Sequence, residues 1–287
     1  MSLIARARSL LFVPADRPDR FAKALATEAD LVCIDLEDAV APAARAAARL
    51  EVLKFRSAQD QDKGGHSGHR ARAGVRISSV HSADGLRDLL ALQELASPAA
   101  FVMLAKTESA AQLALLAAQL PRWPQIALIE SALGLHEASA IAQAADDSRS
   151  PGLLQALMLG GVDLSVDLNC TLAWEPLLHA RGSLVAAAAL AQLGCLDVPW
   201  LDIQDSEGAR AEAARVAAMG FSGKALIHPS QVGPVHAGLT PDDAALQRAR
   251  RIVQSASASD SAVQLDGRLI DRPVVLAAQR LLRRAGE

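Results

Sequence analysis

Three carboxylates follow one apolar run near the start of the sequence. Residues 31–36 are apolar apart from Asp35, and Glu37 and Asp38 come directly after them. Carboxylates grouped at a strand end are suited to holding a cation, ordering water or moving a proton. The structural alternative is that Asp35 caps a following helix while Glu37 and Asp38 are solvated in its first turn. The cluster by itself leaves both interpretations open.

Ionisable residues also follow other apolar runs. They are Arg76, Lys106, Glu108, Glu130, Asp163, Asp202, Asp205 and His228. Where parallel strands close into a barrel, their carboxyl ends meet at one mouth, and catalytic residues come from several strand ends. Chance would scatter such residues along the chain. We therefore interpret the set as a charged active site.

Glu130 and Asp163 follow neighbouring predicted strands and are the candidate metal ligands. Two carboxylates that leave the remaining positions to water and substrate suit Mg²⁺, and Mn²⁺ accepts the same ligands. Without a Cys/His cluster, zinc is disfavoured. Alternatively, each residue caps the helix that follows its strand.

Two basic residues at the same mouth are candidates for binding substrate. Arg76 can clamp a substrate carboxylate with two hydrogen bonds, or form a salt bridge to Glu37 or Asp38, and both can hold at once. Lys106 can neutralise charge on the substrate or pair with Glu37 or Glu130 for structure. Nothing marks Lys106 as a desolvated lysine that forms a Schiff base.

The elements that must position these residues alternate between strands and helices. Predicted strands cover residues 9–14, 31–36, 74–77, 101–104, 125–129, 156–159, 198–203 and 223–227. Predicted helices cover residues 21–26, 43–54, 83–94, 110–120, 135–145, 184–193, 209–219, 244–255 and 274–284. Eight β-α units favour a TIM (β/α)8 barrel over an open doubly wound sheet.

Composition excludes several classes of function. The formal net charge is -3 and there is no long basic run, which gives no reason to expect nucleic acid or a membrane surface as partner. No apolar stretch approaches the roughly 18 residues of a membrane span, and no signal-cleavage pattern is visible, so we expect a cytoplasmic protein. The three widely spaced cysteines predict neither disulfides nor a thiolate metal site.

Two segments interrupt the alternation. Residues 56–73 read as a loop, in which His66 and His69 have metal-pair spacing but no acidic or Cys partner, so solvated histidines are the better interpretation. The C-terminal part reads as an appended helical lid. We therefore predict a catalytic barrel over residues 1–235 and a lid extension over residues 236–287.

Eight motifs in order resemble the HpcH/HpaI aldolase and citrate lyase β-subunit superfamily over nearly the whole chain. They are RSLLFVP (8–14), DLEDAV (35–40), VRI (75–77), KTE (106–108), IES (129–131), GGVDL (160–164), GFSGKALIHPSQ (220–231) and DGRLIDRP (266–273). The resemblance implies a TIM barrel with a lid, Mg²⁺ as cofactor and reversible C–C cleavage of 3-hydroxy acids, commonly as CoA thioesters. It also implies homotrimers or homohexamers.

Carried over to this sequence, the metal ligands fall on Glu130 and Asp163 and the carboxylate-binding arginine on Arg76. Asp35, Glu37 and Asp38 occupy the family's acidic turn, which orders metal-bound water and substrate. Asp271 matches an aspartate that reaches from the lid into a neighbouring subunit's site as an acid/base, or it only caps the last helix. CoA phosphates need a basic rim, for which the candidates are Arg8, Arg17, Arg20 and Lys23.

Some positions depart from the family pattern, and these departures leave the substrate open. They are Ala15, Ser78, Ala105 and Val162. We expect an enzyme that cleaves or forms a 3-hydroxyacyl-CoA resembling citryl-, malyl- or citramalyl-CoA, with oxaloacetate, glyoxylate or pyruvate as the keto acid. The alternatives are a class II pyruvate aldolase on free hydroxy-keto acids, a malyl-CoA thioesterase or malate synthase-like enzyme, and a noncatalytic binding subunit.

Overall fold

A closed eight-stranded parallel barrel forms the centre of the molecule. The computed structural model describes residues 2–61, 72–146, 152–257, 263–265 and 267–285. The strands are β1 (Ser9–Pro14), β2 (Leu31–Asp35), β3 (Ala73–Ile77), β4 (Val102–Leu104), β5 (Gln125–Ile129), β6 (Leu154–Leu159), β7 (Gly194–Asp197) and β8 (Gly223–Leu226). Each strand pairs with the next in sequence, and β8 pairs back with β1. The predicted TIM (β/α)8 fold is confirmed.

Helices connect the strands and cover the outside of the barrel. They are α1 (Leu3–Arg6), α2 (Phe21–Leu25), α3 (Arg45–Gln61), α4 (Ala83–Gln93), α5 (Ala110–Gln119), α6 (Ala132–His136), α7 (Ala138–Gln143), α8 (Gly161–Asp167), α9 (Leu178–Leu190), α10 (Ser206–Met219), α11 (Val232–Leu239), α12 (Asp243–Ser257) and α13 (Arg272–Arg284). Among the helices described, none is long and apolar enough to cross a bilayer.

Alternation along the strands separates the barrel interior from the layer beneath the helices. In β2, Leu31 and Cys33 pack in the interior cluster with Phe101, whereas Val32 and Ile34 belong to the outer cluster. Side chains of a strand alternate between its two faces, so Asp35 continues the inward series at the carboxyl end. Gly74 makes room for Phe101, since a Cβ there would lie 2.5 Å from the ring. The interior is thus apolar up to the mouth and charged at it.

The seventh strand is not where the sequence pattern predicted it. The strand is Gly194–Asp197, whereas the predicted segment 198–203 is a loop in which Leu201 is half exposed. Pro199 has no N–H for a ladder, so the pairing ends before it. Asp202 and Asp205 are therefore not strand-end residues. Asp205 caps α10 through the Gly208 N–H, and Asp202 accepts the Gln204 N–H.

The true end of β7 carries a buried charge network that the sequence pattern did not reveal. Asp197 accepts hydrogen bonds from Arg181 Nε at 2.9 Å and from Lys224 Nζ at 2.7 Å, and all three side chains are almost fully buried. Lys224 also contacts Glu212 at 2.8 Å. The network ties β7 and β8 to the helices α9 and α10 that cover them.

The C-terminal segment forms a small apolar cluster of its own. It joins α12 and α13 to a two-stranded antiparallel sheet, β9 (Val263–Leu265) with β10 (Arg268–Ile270). Its buried members are Ala249, Ile252, Ile270 and Ala278. The predicted boundary between residues 235 and 236 falls inside α11, and the division into barrel and lid stays a prediction. His66 and His69 lie outside the described residues.

Asp197→Ala tests whether the buried network supports the barrel. The substitution leaves the Arg181 and Lys224 charges buried without their shared partner, so we expect the free energy of unfolding to fall by about 3–5 kcal/mol. Urea denaturation measures it. Glu51→Ala, which breaks the exposed pair with Lys54, is the matched control with an expected cost of about 1 kcal/mol or less. Equal costs for both variants would contradict the structural role.

Candidate active site

Asp35 organises the mouth of the barrel. Its Oδ1 accepts the Glu37 N–H at 2.9 Å and its Oδ2 accepts the Ala39 N–H at 3.1 Å, so the acidic turn folds around this carboxylate. Both oxygens also accept hydrogen bonds from Arg76, whose Nε lies 2.7 Å from Oδ1 and whose Nη2 lies 2.5 Å from Oδ2. The two residues lie opposite each other in the β2–β3 register, which explains the bidentate geometry.

Arg76 is held on three sides. Besides the pair with Asp35, its Nη1 lies 3.2 Å from Glu37 Oε2, and its guanidinium lies 5.0 Å from the Phe12 ring centre. Burial works against the charge, but the hydrogen bonds and charge of Asp35 outweigh it and hold the pKa of Arg76 above its ordinary value. Three of the five N–H groups face protein carboxylates, which leaves two for another ligand. The salt bridge predicted as the structural alternative is present, and the substrate clamp stays a prediction.

Glu37 points into the mouth while Asp38 faces solvent. Glu37 is 4% exposed and Asp38 is exposed, its N–H donating to Glu37 Oε2 at 3.0 Å. Burial raises the pKa of Glu37, and the nearby Arg76 charge opposes the rise only in part. A carboxylate with a raised pKa is a stronger base than an ordinary one and is better suited to accepting a proton.

Glu130 follows β5 and is the most strongly perturbed carboxylate of the mouth. It is 5% exposed, and its Oε1 accepts the Lys106 N–H at 2.8 Å. Burial, with repulsion from Glu37, raises the pKa of Glu130 to about 8. Gly160 lies against it, since a Cβ at Gly160 would overlap the Glu130 Cβ and lie 2.6 Å from Oε2. The side chain therefore occupies a slot that only glycine leaves open.

Lys106 touches three carboxylates. Its Nζ lies 3.2 Å from Glu37 Oε1 and 3.7 Å from Asp163 Oδ2, while its backbone N–H binds Glu130. Partial burial disfavours the ammonium, but the Glu37 charge more than compensates and raises the pKa of Lys106. The residue has a φ of 52°, a left-handed conformation that is rare for a non-glycine residue and often marks a functional site.

The mouth fits a divalent cation with few protein ligands. Asp163 lies in the first turn of α8, with its side chain 35% exposed, and its charge contributes to the raised pKa of Glu130. Within the described part of the chain, no three His, Cys, Asp or Glu side chains gather into a metal-binding group. A buried carboxylate held near protonation, beside a second carboxylate open to solvent, suits Mg²⁺ that keeps water and substrate as its other ligands.

The remaining strand-end and lid candidates have structural contacts of their own. Asp271 caps α13, its Oδ1 accepting the Val274 N–H at 3.2 Å, as the structural alternative predicted. His228 begins a short 3-10 turn, where its ring accepts the Ser230 N–H. Glu108 accepts a hydrogen bond from Ser131 at 2.7 Å. The role of Asp271 in a neighbouring subunit stays a prediction.

The four basic residues proposed for CoA do not form one rim. Arg8 precedes β1, at the opposite end of the barrel from the mouth, and pairs with Asp30 at 3.3 Å, so grouping it with the others was wrong. A residue before a strand and one after it are separated by the strand's length. Arg20 and Lys23 follow β1 and are exposed, and their role stays a prediction.

Sequence reasoning missed Phe12 and Gly160 as parts of the site. Phe12 supports Arg76 from the barrel wall, and Gly160 makes room for Glu130. The pair Gly160-Gly161 beside Asp163 was a signal for close packing, because glycine in such a position often marks a close approach. Nothing in the sequence indicated that Lys106 would have a positive φ.

The match to a protein-family model decides the family. The model described as HpcH/HpaI aldolase/citrate lyase matches residues 8–229. The chain belongs to the HpcH/HpaI aldolase/citrate lyase family. This confirms both the family that the motifs resembled and the expected enzyme class, lyases that make or break C–C bonds.

Two relatives illustrate this HpcH/HpaI family. A citrate lyase subunit beta-like protein of Mycobacterium tuberculosis is 38% identical over 100% of this chain and 98% of its own length. An L-malyl-CoA/beta-methylmalyl-CoA lyase of Cereibacter sphaeroides is 31% identical over 97% of this chain and 94% of its own.

Solved structures of similar proteins agree with the fold. The CitE protein of M. tuberculosis, in complex with magnesium, acetoacetate and coenzyme A, has a TM-score of 0.83 at 37% identity and covers 99% of both chains. A citrate lyase beta subunit of that organism, in complex with oxaloacetate and magnesium, has a TM-score of 0.69 at 38% identity, covering 84% of this chain and 100% of its own.

Gly160→Ala tests the slot that holds Glu130. The added methyl group overlaps Glu130 and forces a shift, so we expect the free energy of unfolding to fall by about 1–3 kcal/mol. Gly182→Ala is the control, because that helical glycine has no heavy atom within 4 Å of the added Cβ. There alanine should raise the free energy by about 0.5–1 kcal/mol. Urea denaturation measures both changes. If the free energy of unfolding changed in the same direction in both variants, the slot would be contradicted.

Proposed function

We propose that this protein is a Mg²⁺-dependent lyase that reversibly cleaves a 3-hydroxyacyl-CoA thioester into a 2-keto acid and an acyl-CoA. The relatives support the reaction class, since one is a malyl-CoA lyase and a solved relative holds magnesium with coenzyme A. Oxaloacetate and pyruvate, each held with magnesium by a relative, are the first keto acids to test.

The observation that carries the proposal is the buried Glu130 carboxylate beside Asp163. Burial and repulsion from Glu37 raise the pKa of Glu130 to about 8, so the protein alone disfavours the charged form of this carboxyl group. Glu130 and Asp163 would hold a divalent cation, whose charge would offset that penalty. When bound, Mg²⁺ supplies Lewis acidity that polarises the keto-acid carbonyl.

The chain's own residues bind the substrate and move the proton. Arg76, fixed by Asp35, offers its two remaining N–H groups to the carboxylate of the keto-acid portion. Glu37, with its raised pKa, takes the proton from the substrate hydroxyl as the C–C bond breaks. The electron pair of that bond passes to the departing acyl thioester as an enolate, which is then protonated. Asp271 of a second copy is the candidate donor for that step.

CoA binding and subunit assembly would involve residues outside the metal site. Arg20 and Lys23 are exposed beside the mouth and are the candidates for the CoA phosphates. Assembly into a homotrimer or homohexamer would bring a lid, with Asp271, to a neighbouring mouth. These roles follow the family resemblance, and sedimentation of the purified protein reports the oligomer size.

An assay of keto-acid release tests the function. Malyl-, citramalyl- and citryl-CoA are incubated with the protein in Mg²⁺ or in EDTA, and glyoxylate, pyruvate and oxaloacetate are measured. We expect release from one thioester, abolished by EDTA and lowered at least about 100-fold in Glu130→Gln. Glu137→Gln, a change at a more exposed glutamate seven residues along the chain, is the matched control and should retain activity.

Other products would identify the alternatives. Hydrolysis of the thioester with its carbon skeleton intact would indicate a thioesterase, the activity named for a C. sphaeroides relative that is 30% identical. Cleavage of free hydroxy-keto acids alone would indicate a class II aldolase. If no thioester or free acid reacts while Mg²⁺ still binds, the lyase proposal is wrong and a binding subunit is favoured.

Mg²⁺ affinity should depend on pH because a proton competes for Glu130. Its pKa without metal is about 8, so binding has to displace a proton below that pH. We expect affinity to rise up to about tenfold per pH unit between pH 6 and 8, and to level off above pH 8. Titration calorimetry in buffers of different ionisation enthalpy measures both affinity and proton release.

Stability without metal should change with pH in the opposite direction. In the folded protein the pKa of Glu130 is about 8, whereas its ordinary value is 4.5. The folded state therefore binds this proton more tightly, which adds to the free energy of unfolding at low pH. That contribution is lost as pH rises from about 5 to 8. Subtracting the pH profile of Glu130→Gln from that of the wild type in EDTA isolates this residue. A flat difference would contradict the raised pKa.

A further inference from the structure

Lys106 occupies the space between carboxylates that a cation would share. Its Nζ lies 3.2 Å from Glu37 Oε1 and 3.7 Å from Asp163 Oδ2, so one ammonium bridges the acidic turn after β2 and the proposed metal ligand on α8. These two carboxylates follow different strands, β2 and β6, and the contacts of Lys106 join them. The ammonium thus does electrostatically what a bound cation would do.

The backbone of Lys106 explains how the side chain reaches this position. With φ at 52°, its N–H points to Glu130 Oε1 at 2.8 Å while its side chain extends towards Glu37 and Asp163. A left-handed conformation costs about 1–3 kcal/mol for a non-glycine residue and persists where the surroundings favour it. Glu37, Glu130 and Asp163 therefore all contact this one residue.

The two cations of the mouth differ in how easily they can leave. The Arg76 side chain is 12% exposed and held by two hydrogen bonds to Asp35, so it is fixed. The Lys106 side chain is 46% exposed, and its longer contact of 3.7 Å with Asp163 is an ion pair rather than a hydrogen bond. The ammonium itself is open to solvent, so its ion pairs are screened, and a bound cation would take its place beside the buried Glu37; moving the ammonium into solvent then costs little.

We propose that Lys106 is an exchangeable counter-cation: its ammonium neutralises Glu37 and Asp163 while the metal is absent, and Mg²⁺ displaces it on binding. The freed ammonium then lies at the mouth, where the anionic keto acid enters, and pairs with the substrate carboxylate. This inference rests on the proposed function and gives Lys106 a role both before and after Mg²⁺ binds. Lys106 is a positioning residue for the metal and a binding residue for the anion.

Removing the ammonium should change two affinities in opposite directions. In Lys106→Met, Mg²⁺ no longer competes with an internal cation, so we expect it to bind about two- to fivefold more tightly, the range for losing half-exposed ion pairs. Pyruvate, added at saturating Mg²⁺, should bind about two- to fivefold more weakly because its ammonium partner is gone. A purely structural role would weaken both. Titration calorimetry measures each constant.

Control variants distinguish a failure of this inference from a folding defect and from a failure of the proposed function. Lys54→Met removes an exposed lysine paired with Glu51 at 2.7 Å and should leave both affinities unchanged. Lys106→Gln, polar and uncharged, should behave like Lys106→Met, and thermal melting in EDTA verifies that each variant folds. Mg²⁺ affinity that is unchanged or weaker in both Lys106 variants overturns the inference and leaves the proposed function standing. Absence of Mg²⁺ binding in the wild type overturns both.

Discussion

The bidentate pair between Asp35 and Arg76 is the interaction on which the mouth depends. The Asp35 side chain is 1% exposed and that of Arg76 is 12% exposed, so an unpaired charge at either position would be costly. Asp35 also accepts the N–H groups of Glu37 and Ala39, so one carboxylate holds the guanidinium and shapes the acidic turn. Loss of either partner would leave a buried charge, and loss of Asp35 would also release the turn that carries Glu37.

Once this pair is formed, the charge balance of the mouth favours a divalent cation. Its buried or half-buried carboxylates are Asp35, Glu37, Glu130 and Asp163, and its cations are Arg76 and Lys106. Four negative charges against two positive ones leave an excess of two when all are ionised. Without metal, the excess is relieved by the raised pKa of Glu37 and Glu130 and by the bridging ammonium. The proposed metal binding, its expected pH dependence and the position of Lys106 thus share one electrostatic cause.

Much of the site follows from local pattern in the sequence. Predicted strands 9–14 and 125–129 match β1 and β5 residue for residue, because uninterrupted apolar runs there end at Pro14 and before Glu130. Asp35, Arg76, Lys106, Glu130 and Asp163 all lie at the mouth, as parallel strands closed into a barrel require. The seventh strand was misplaced, since an exposed apolar loop resembles a buried strand when only composition is considered.

Only the tertiary structure decided which charged residues pair with each other. Asp35 and Arg76 are 41 residues apart, and only the β2–β3 register brings them into bidentate contact. The left-handed Lys106, the slot at Gly160 and the separation of Arg8 from the mouth likewise depend on packing between distant segments. The sequence by itself determined which elements form and which chemical groups end them, because hydrophobic periodicity and turn chemistry are local. The closed barrel decided which charged groups neutralise each other, because electrostatic pairing depends on distance in space and not along the chain.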